Sequence, residues 1–100
     1  MIHHIVTLEL ASEDAAERAS HANEIVRRVE AFGDLPGVVS LRVHRDLGLV
    51  TGHWPLVIVG KYVDVAALEA YQADPRHREV VAWMDDGVVR ARSTVDYDAG

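Results

Sequence analysis

The chain has 100 residues, 49% of them apolar and 26% charged, with 16 acidic against 10 basic side chains and a formal net charge of -6. A chain this short buries roughly 65% of its unfolded surface around one core, which excludes a second independent domain, and its composition excludes a disordered or collagen-like chain. The acidic balance, with basic residues scattered, argues against nucleic acid and anionic membrane as partners, and the lack of cysteine removes disulfides, thiolate-bound metals and thiol nucleophiles.

From the start, Ile2, His4, Val6, Leu8 and Leu10 alternate with His3, Ile5, Thr7 and Glu9, the period of a strand whose even face is the more apolar. The same segment has no basic stretch leading into an unbroken apolar one, so it reads as a mature N-terminus of a cytoplasmic protein. No uncharged run approaches the roughly 18 apolar residues of a membrane span. Ser12 is the expected N-cap of a helix beginning near Glu13. Ala15, Ala19, Ala22, Ile25, Val26, Val29 and Phe32 supply its buried stripe. Leu35-Pro36-Gly37-Val38 suits a tight turn into a second strand, Val39 to about Asp46. A glycine-containing loop then leads to Pro55-Leu56-Val57-Ile58-Val59, the most apolar strand and therefore expected at the centre of the sheet. Asp64 caps a short helix through Leu68 and Tyr71, which Asp74-Pro75 stops while starting another. The last alternation, Val89, Ala91, Ser93, Val95 and Tyr97 against Val88, Arg90, Arg92, Thr94 and Asp96, makes a fourth strand.

The order β-α-β-β-α-β predicts an α+β, ferredoxin-like fold, with a four-stranded antiparallel sheet carrying both helices on one face. Strand three is apolar on both sides, so the uncovered face predicts a homodimer packed sheet against sheet.

His4-Ile5-Val6, Leu35-Pro36-Gly37-Val38, the run Leu68-Glu69-Ala70-Tyr71-Gln72-Ala73-Asp74-Pro75-Arg76-His77 and the closing Val95-Asp96-Tyr97 resemble the stress-responsive A/B barrel (Dabb) family over nearly the whole chain. The spaced Tyr-x-x-x-Pro-x-His element is the most specific part. The resemblance implies a single domain over residues 1–100, a dimeric α/β barrel and no cofactor. Function in the family is diverse: many members are linked only to stress, whereas one plant polyketide cyclase uses a tyrosine and a histidine for an aldol ring closure. Tyr71 and His77 match those two positions and His4 matches a histidine of the same pocket. The chain departs from that cyclase at Leu56, where the cyclase carries another pocket histidine.

The resemblance thus points to a small apolar pocket for a carbonyl-containing, polyketide-like molecule. His4, Val6, Leu56 and Ile58 are the expected lining and Tyr71 and His77 the candidate catalytic pair. On an unbroken helix Tyr71 and His77 would stand about 120° apart, so convergence depends on the Asp74-Pro75 break. His77 would then fall in the first turn of a helix, where the dipole disfavours imidazolium and leaves a neutral base. Tyr71 would hydrogen-bond the developing enolate oxygen, and His4 would orient the substrate. The same residues also suit a plain structural role, with Tyr71 bonded to a carbonyl and His77 completing a helix start. A shared cavity of roughly 300 Å³ or more would favour an enzyme over a binding or structural dimer.

The six histidines show no metal-ligand spacing, since His3 and His4 point to opposite faces of a strand and His21, His44 and His53 fall on separate elements, so no metal is expected. No nucleophile-elbow or phosphate-loop motif is present. Arg90 and Arg92 alternate on one face of the last strand, and Arg42 is placed to join them across the sheet or the dimer, in a cluster suited to binding a carboxylate or, more simply, to pairing with Asp or Glu at the interface.

Overall fold

A computed structural model describes every residue from Met1 to Gly100. The elements are β1 (Ile2–Leu10), α1 (Ala15–Glu30) with a 3-10 extension (Ala31–Asp34), β2 (Val38–Arg45), β3 (Leu56–Tyr62), α2 (Val65–Ala73), α3 (Pro75–Asp85) and β4 (Val89–Asp98). The strands form one antiparallel sheet in the order β2-β3-β1-β4, the ferredoxin-like α+β arrangement that the element order predicts. No helix is long and apolar enough to cross a membrane.

Each element follows from local chemistry. The N-cap of α1 is Asp14, not Ser12: the Asp14 carboxylate accepts from the Glu17 N–H at 2.9 Å, while the Ser12 hydroxyl accepts from the Asp14 N–H at 3.1 Å in a preceding turn. Both residues are good caps, and the turn set by Ser12 leaves the helix start to the carboxylate two residues on. Gly37, with φ of +82°, is needed twice over in the turn before β2, because a Cβ there would also meet the Cβ of Ala67 at 2.5 Å.

The even residues of β1 face the helices and join Leu56, Ile58 and Tyr62 of β3 and Leu41 and Val43 of β2 in one core with Ile25, Val29 and Phe32. Leu8, Ile25 and Tyr62 are completely buried, and burying a large side chain of this kind is worth about 1.5–3 kcal/mol. On the opposite face Ile5, Val57 and Val59 are half-buried and Val95 and Tyr97 exposed in the single chain.

β4 departs from a simple alternation. Val89 stands opposite Leu10 and Ala91 opposite Glu9, so Arg90 is the extra residue of a bulge. Beyond it Arg92, Thr94 and Asp96 stand opposite Leu8, Val6 and His4, on the helix side of the sheet. The expected trio of arginines is therefore not assembled. Arg42 stands opposite Val59 on the open face, Arg90 reaches the Glu9 carboxylate at 3.8 Å, and Arg92 pairs with Asp85.

Candidate functional site

Tyr71 lies in the last turn of α2 and His77 in the first turn of α3. Between them Asp74 takes an extended conformation, with ψ of 131°, and its carboxylate accepts from the Arg76 N–H at 2.8 Å while Pro75 opens the new helix. Proline forbids continuation of α2 yet fits the first position of α3, where its missing N–H is not needed. The chain changes direction, and the two rings come to 4.6 Å between centroids at an interplanar angle of 55°. Phe32 packs edge-on against Tyr71, with centroids 6.1 Å apart.

The two side chains share a cavity of about 170 Å³ between the sheet and the helices. Its apolar lining comes from Val6, Leu8 and Ile58 of the sheet and Val29, Phe32, Val80, Val81 and Met84 of the helical layer. Its polar groups are His4, Tyr71, Gln72, His77, Arg92 and Thr94. The volume falls short of the roughly 300 Å³ that would favour an enzyme, the lower end of the range of roughly 300–1,000 Å³ typical of drug-sized sites. It is close to the roughly 150 Å³ that accommodates benzene, so it suits a ligand of about six to nine non-hydrogen atoms.

The protons in this cavity are set by their surroundings. His77 Nδ1 lies 3.2 Å from the Gln72 carbonyl. A carbonyl only accepts, so Nδ1 carries the proton and Nε2 keeps its lone pair. Burial pushes the His77 pKa below its ordinary value; the Gln72 carbonyl opposes that shift and the neighbouring His4 adds to it. The ring is accordingly neutral at pH 7, with burial the leading cause. Tyr71 is 5% exposed, and burial pushes its pKa up to about 12. It remains a proton donor through the whole neutral range.

His4, only 6% exposed, is held through Nδ1 by the carboxylate of Asp96 on β4. The carboxylate accepts, so Nδ1 of His4 carries the proton of this bond. Tyr62 stands behind this group, its ring 5.2 Å from Tyr71 and 6.3 Å from His4. It folds back over Gly60, where a Cβ would lie 2.7 Å from the phenol oxygen. Its hydroxyl is buried and does not reach hydrogen-bond geometry with Tyr71 or any other group, and burial raises its pKa further than that of Tyr71.

Of the residues expected from sequence, His4, Val6, Ile58, Tyr71 and His77 line this cavity and Leu56 does not. Leu56 is the first residue of β3, opposite Leu8, and borders wide depressions beside the Leu47–Pro55 loop, away from Tyr71 and His77. Arg92, Thr94 and Asp96 were legible only as the polar side of a strand, and the register that puts this exposed side on the helix face of the sheet comes from the bulge. His3 and His4 lie on opposite faces, and no three His, Asp or Glu side chains gather closely enough to hold a metal ion.

No curated protein matches the chain in sequence. Solved structures share its fold. A dimeric protein of unknown function from Bacteroides fragilis superposes with a TM-score of 0.85 at 17% identity, covering 97% of this chain and 94% of that one. A dimeric ferredoxin-like protein of unknown function from a Jannaschia species has a TM-score of 0.70 at 25% identity, with 98% of each chain covered. A Dabb family protein from Mesorhizobium loti has a TM-score of 0.71 at 19% identity, covering 99% of this chain and 96% of that one. The family model of the stress responsive A/B barrel domain matches residues 2–99, and the chain belongs to that family.

Proposed function

We propose that the cavity binds a small carbonyl compound and that His77 moves a proton at the carbon beside the carbonyl. The observation that carries this reading is the pairing, 4.6 Å apart in one cavity, of a neutral imidazole and a protonated phenol. His77 Nε2 takes the proton, the electron pair of the C–H bond moves to the carbonyl oxygen, and that oxygen accepts a hydrogen bond from Tyr71. The enolate then either attacks a second carbonyl of the same molecule, closing a ring as in an aldol reaction while His77 gives its proton to the new alkoxide, or takes a proton back at the same carbon, which exchanges it with solvent. His4, fixed by Asp96, orients the compound through Nε2. Polyketide-like substrates of more than about nine non-hydrogen atoms need a larger space than the roughly 170 Å³ found here.

Exchange of α-protons with D₂O, followed by NMR on small ketones and diketones, tests this reading. The native protein accelerates exchange, and His77→Gln and Tyr71→Phe abolish or sharply reduce it. Binding without exchange would leave a non-catalytic ligand-binding protein, and exchange retained in His77→Gln would remove the base assignment.

The open sheet face is the proposed interface of a homodimer. Ile5, Val57, Val59, Val95 and Tyr97 form an apolar strip there, with Val95 and Tyr97 exposed in the single chain, and several proteins of similar fold are described as dimeric. Sedimentation at micromolar concentration should give twice the 11.0 kDa chain mass. Val59→Asp should yield monomer, and a monomeric native protein would refute the interface.

A further inference from the structure

The cavity is electrically unlike the rest of the chain. Acidic residues outnumber basic ones 16 to 10, yet the ionisable groups lining the cavity are His4, Tyr71, His77 and Arg92, with no carboxylate among them. Arg92 and Thr94 stand on β4 opposite Leu8 and Val6 and form a polar strip on an otherwise apolar wall. Both residues are exposed in the single chain, so they stand at the open edge of the cavity, where an entering anion meets the guanidinium first.

The partner that Arg92 has in the protein is a weak competitor. One nitrogen, Nη2, bonds to Asp85 at the end of α3, and that carboxylate is 57% exposed. Exposed ion pairs contribute little, and the guanidinium has five N–H donors, most of them free of this bond. Its fork is matched by a carboxylate, which it binds through two parallel hydrogen bonds. Thr94 adds a hydroxyl donor beside it.

We infer that the ligand is a small anionic carbonyl compound, an oxo acid, whose carboxylate is held by Arg92 and Thr94 while its ketone lies between Tyr71 and His77. The inference rests on the proton-transfer site proposed above and names its substrate class. A cavity of about 170 Å³ allows only a few bonds between the two groups, which points to a 3- or 4-oxo acid of about six to nine non-hydrogen atoms. The carboxylate makes Arg92 a specificity-determining residue and leaves the proton transfer to His77.

Two probes of equal size and different charge separate the possibilities: 4-oxopentanoate and the neutral hexane-2,5-dione, titrated into ¹⁵N-labelled protein and followed by amide shifts. The native protein should bind the acid at least about 10-fold more tightly than the dione. Arg92→Gln should weaken the acid by about 10-fold or more and leave the dione within about twofold, as expected for loss of a charged hydrogen bond. Asp85→Asn, which frees Arg92 without altering it, should tighten the acid by about twofold to fivefold. Equal affinity of the native protein for both probes, or unchanged acid affinity in Arg92→Gln, would overturn the anion assignment while the proton-transfer site stands. Binding of neither probe at the cavity would overturn both.

Discussion

His3 and His4 are adjacent in sequence and occupy adjacent rungs of the same β1–β4 pair, opposite Tyr97 and Asp96. His3 meets the Tyr97 hydroxyl at 2.9 Å on the open face, where the contact is exposed. His4 meets a carboxylate on the helix face and is buried beside Tyr62, in a cavity that also holds Tyr71 and His77. Strand alternation alone separates them. The side chain and its kind of neighbour are similar, so the contrast teaches that enclosure, and the second layer of residues it brings within reach, make a histidine part of a site.

The largest effect that tests this contrast is on catalysis. His77→Ala should lower α-proton exchange by about 10²–10⁴-fold, whereas His3→Ala should leave it within about twofold, both read by NMR in D₂O. An equal loss in the two variants would place the chemistry outside the cavity.

Stability should divide the two rungs in the same way. Asp96→Ala leaves Nδ1 of a buried ring without its acceptor and should cost about 1–3 kcal/mol in urea unfolding. Tyr97→Phe removes a contact that is exposed in the single chain and, measured in the monomeric Val59→Asp background, should cost less than about 0.5 kcal/mol. Gly60→Ala sharpens the comparison on the enclosed side only, since its Cβ would be forced against the Tyr62 ring. Overpacking there should cost about 1–3 kcal/mol and displace Tyr62 from behind Tyr71 and His4.

The smallest effect is the pH dependence contributed by His77. Its folded pKa lies below the unfolded value of about 6.5, so the unfolded chain binds more protons between the two. Stability from this group is fully present above about pH 6.5 and is lost as pH falls through the folded pKa. The exchange rate should likewise be flat above pH 6.5 and fall on acidification, as Nε2 is protonated. A His77→Gln variant should lack this component of the urea-unfolding profile.

Much of this arrangement is legible in the sequence. The Asp74-Pro75 step announces the bend that joins Tyr71 to His77, and the even-numbered face of β1 announces that His4 points inward. What is hidden comes from register and from side-chain direction. Counting by twos from Val89 groups it with Ser93 and Val95; the bulged Arg90 breaks that count, and Arg92, Thr94 and Asp96 fall on the helix side of the sheet while staying exposed on its edge strand. Leu56 shares a strand face with Ile58, yet the cavity stops short of it because its neighbours at the end of β3 belong to the adjoining loop. Tyr62 lies beyond the Pro55–Val59 run that marks the third strand in the sequence, although glycine two residues before an aromatic on the same face signals a ring folded back over the backbone.

The most direct measurement is a long-range ¹H–¹⁵N spectrum of the histidine rings at pH 7, with and without a small ketone. The account predicts that His77 is neutral with its proton on Nδ1, that the His4 and His77 resonances shift on adding the ketone, and that those of His3 stay in place. A proton on Nε2 of His77, or shifts at His3 with none at His77, would contradict it.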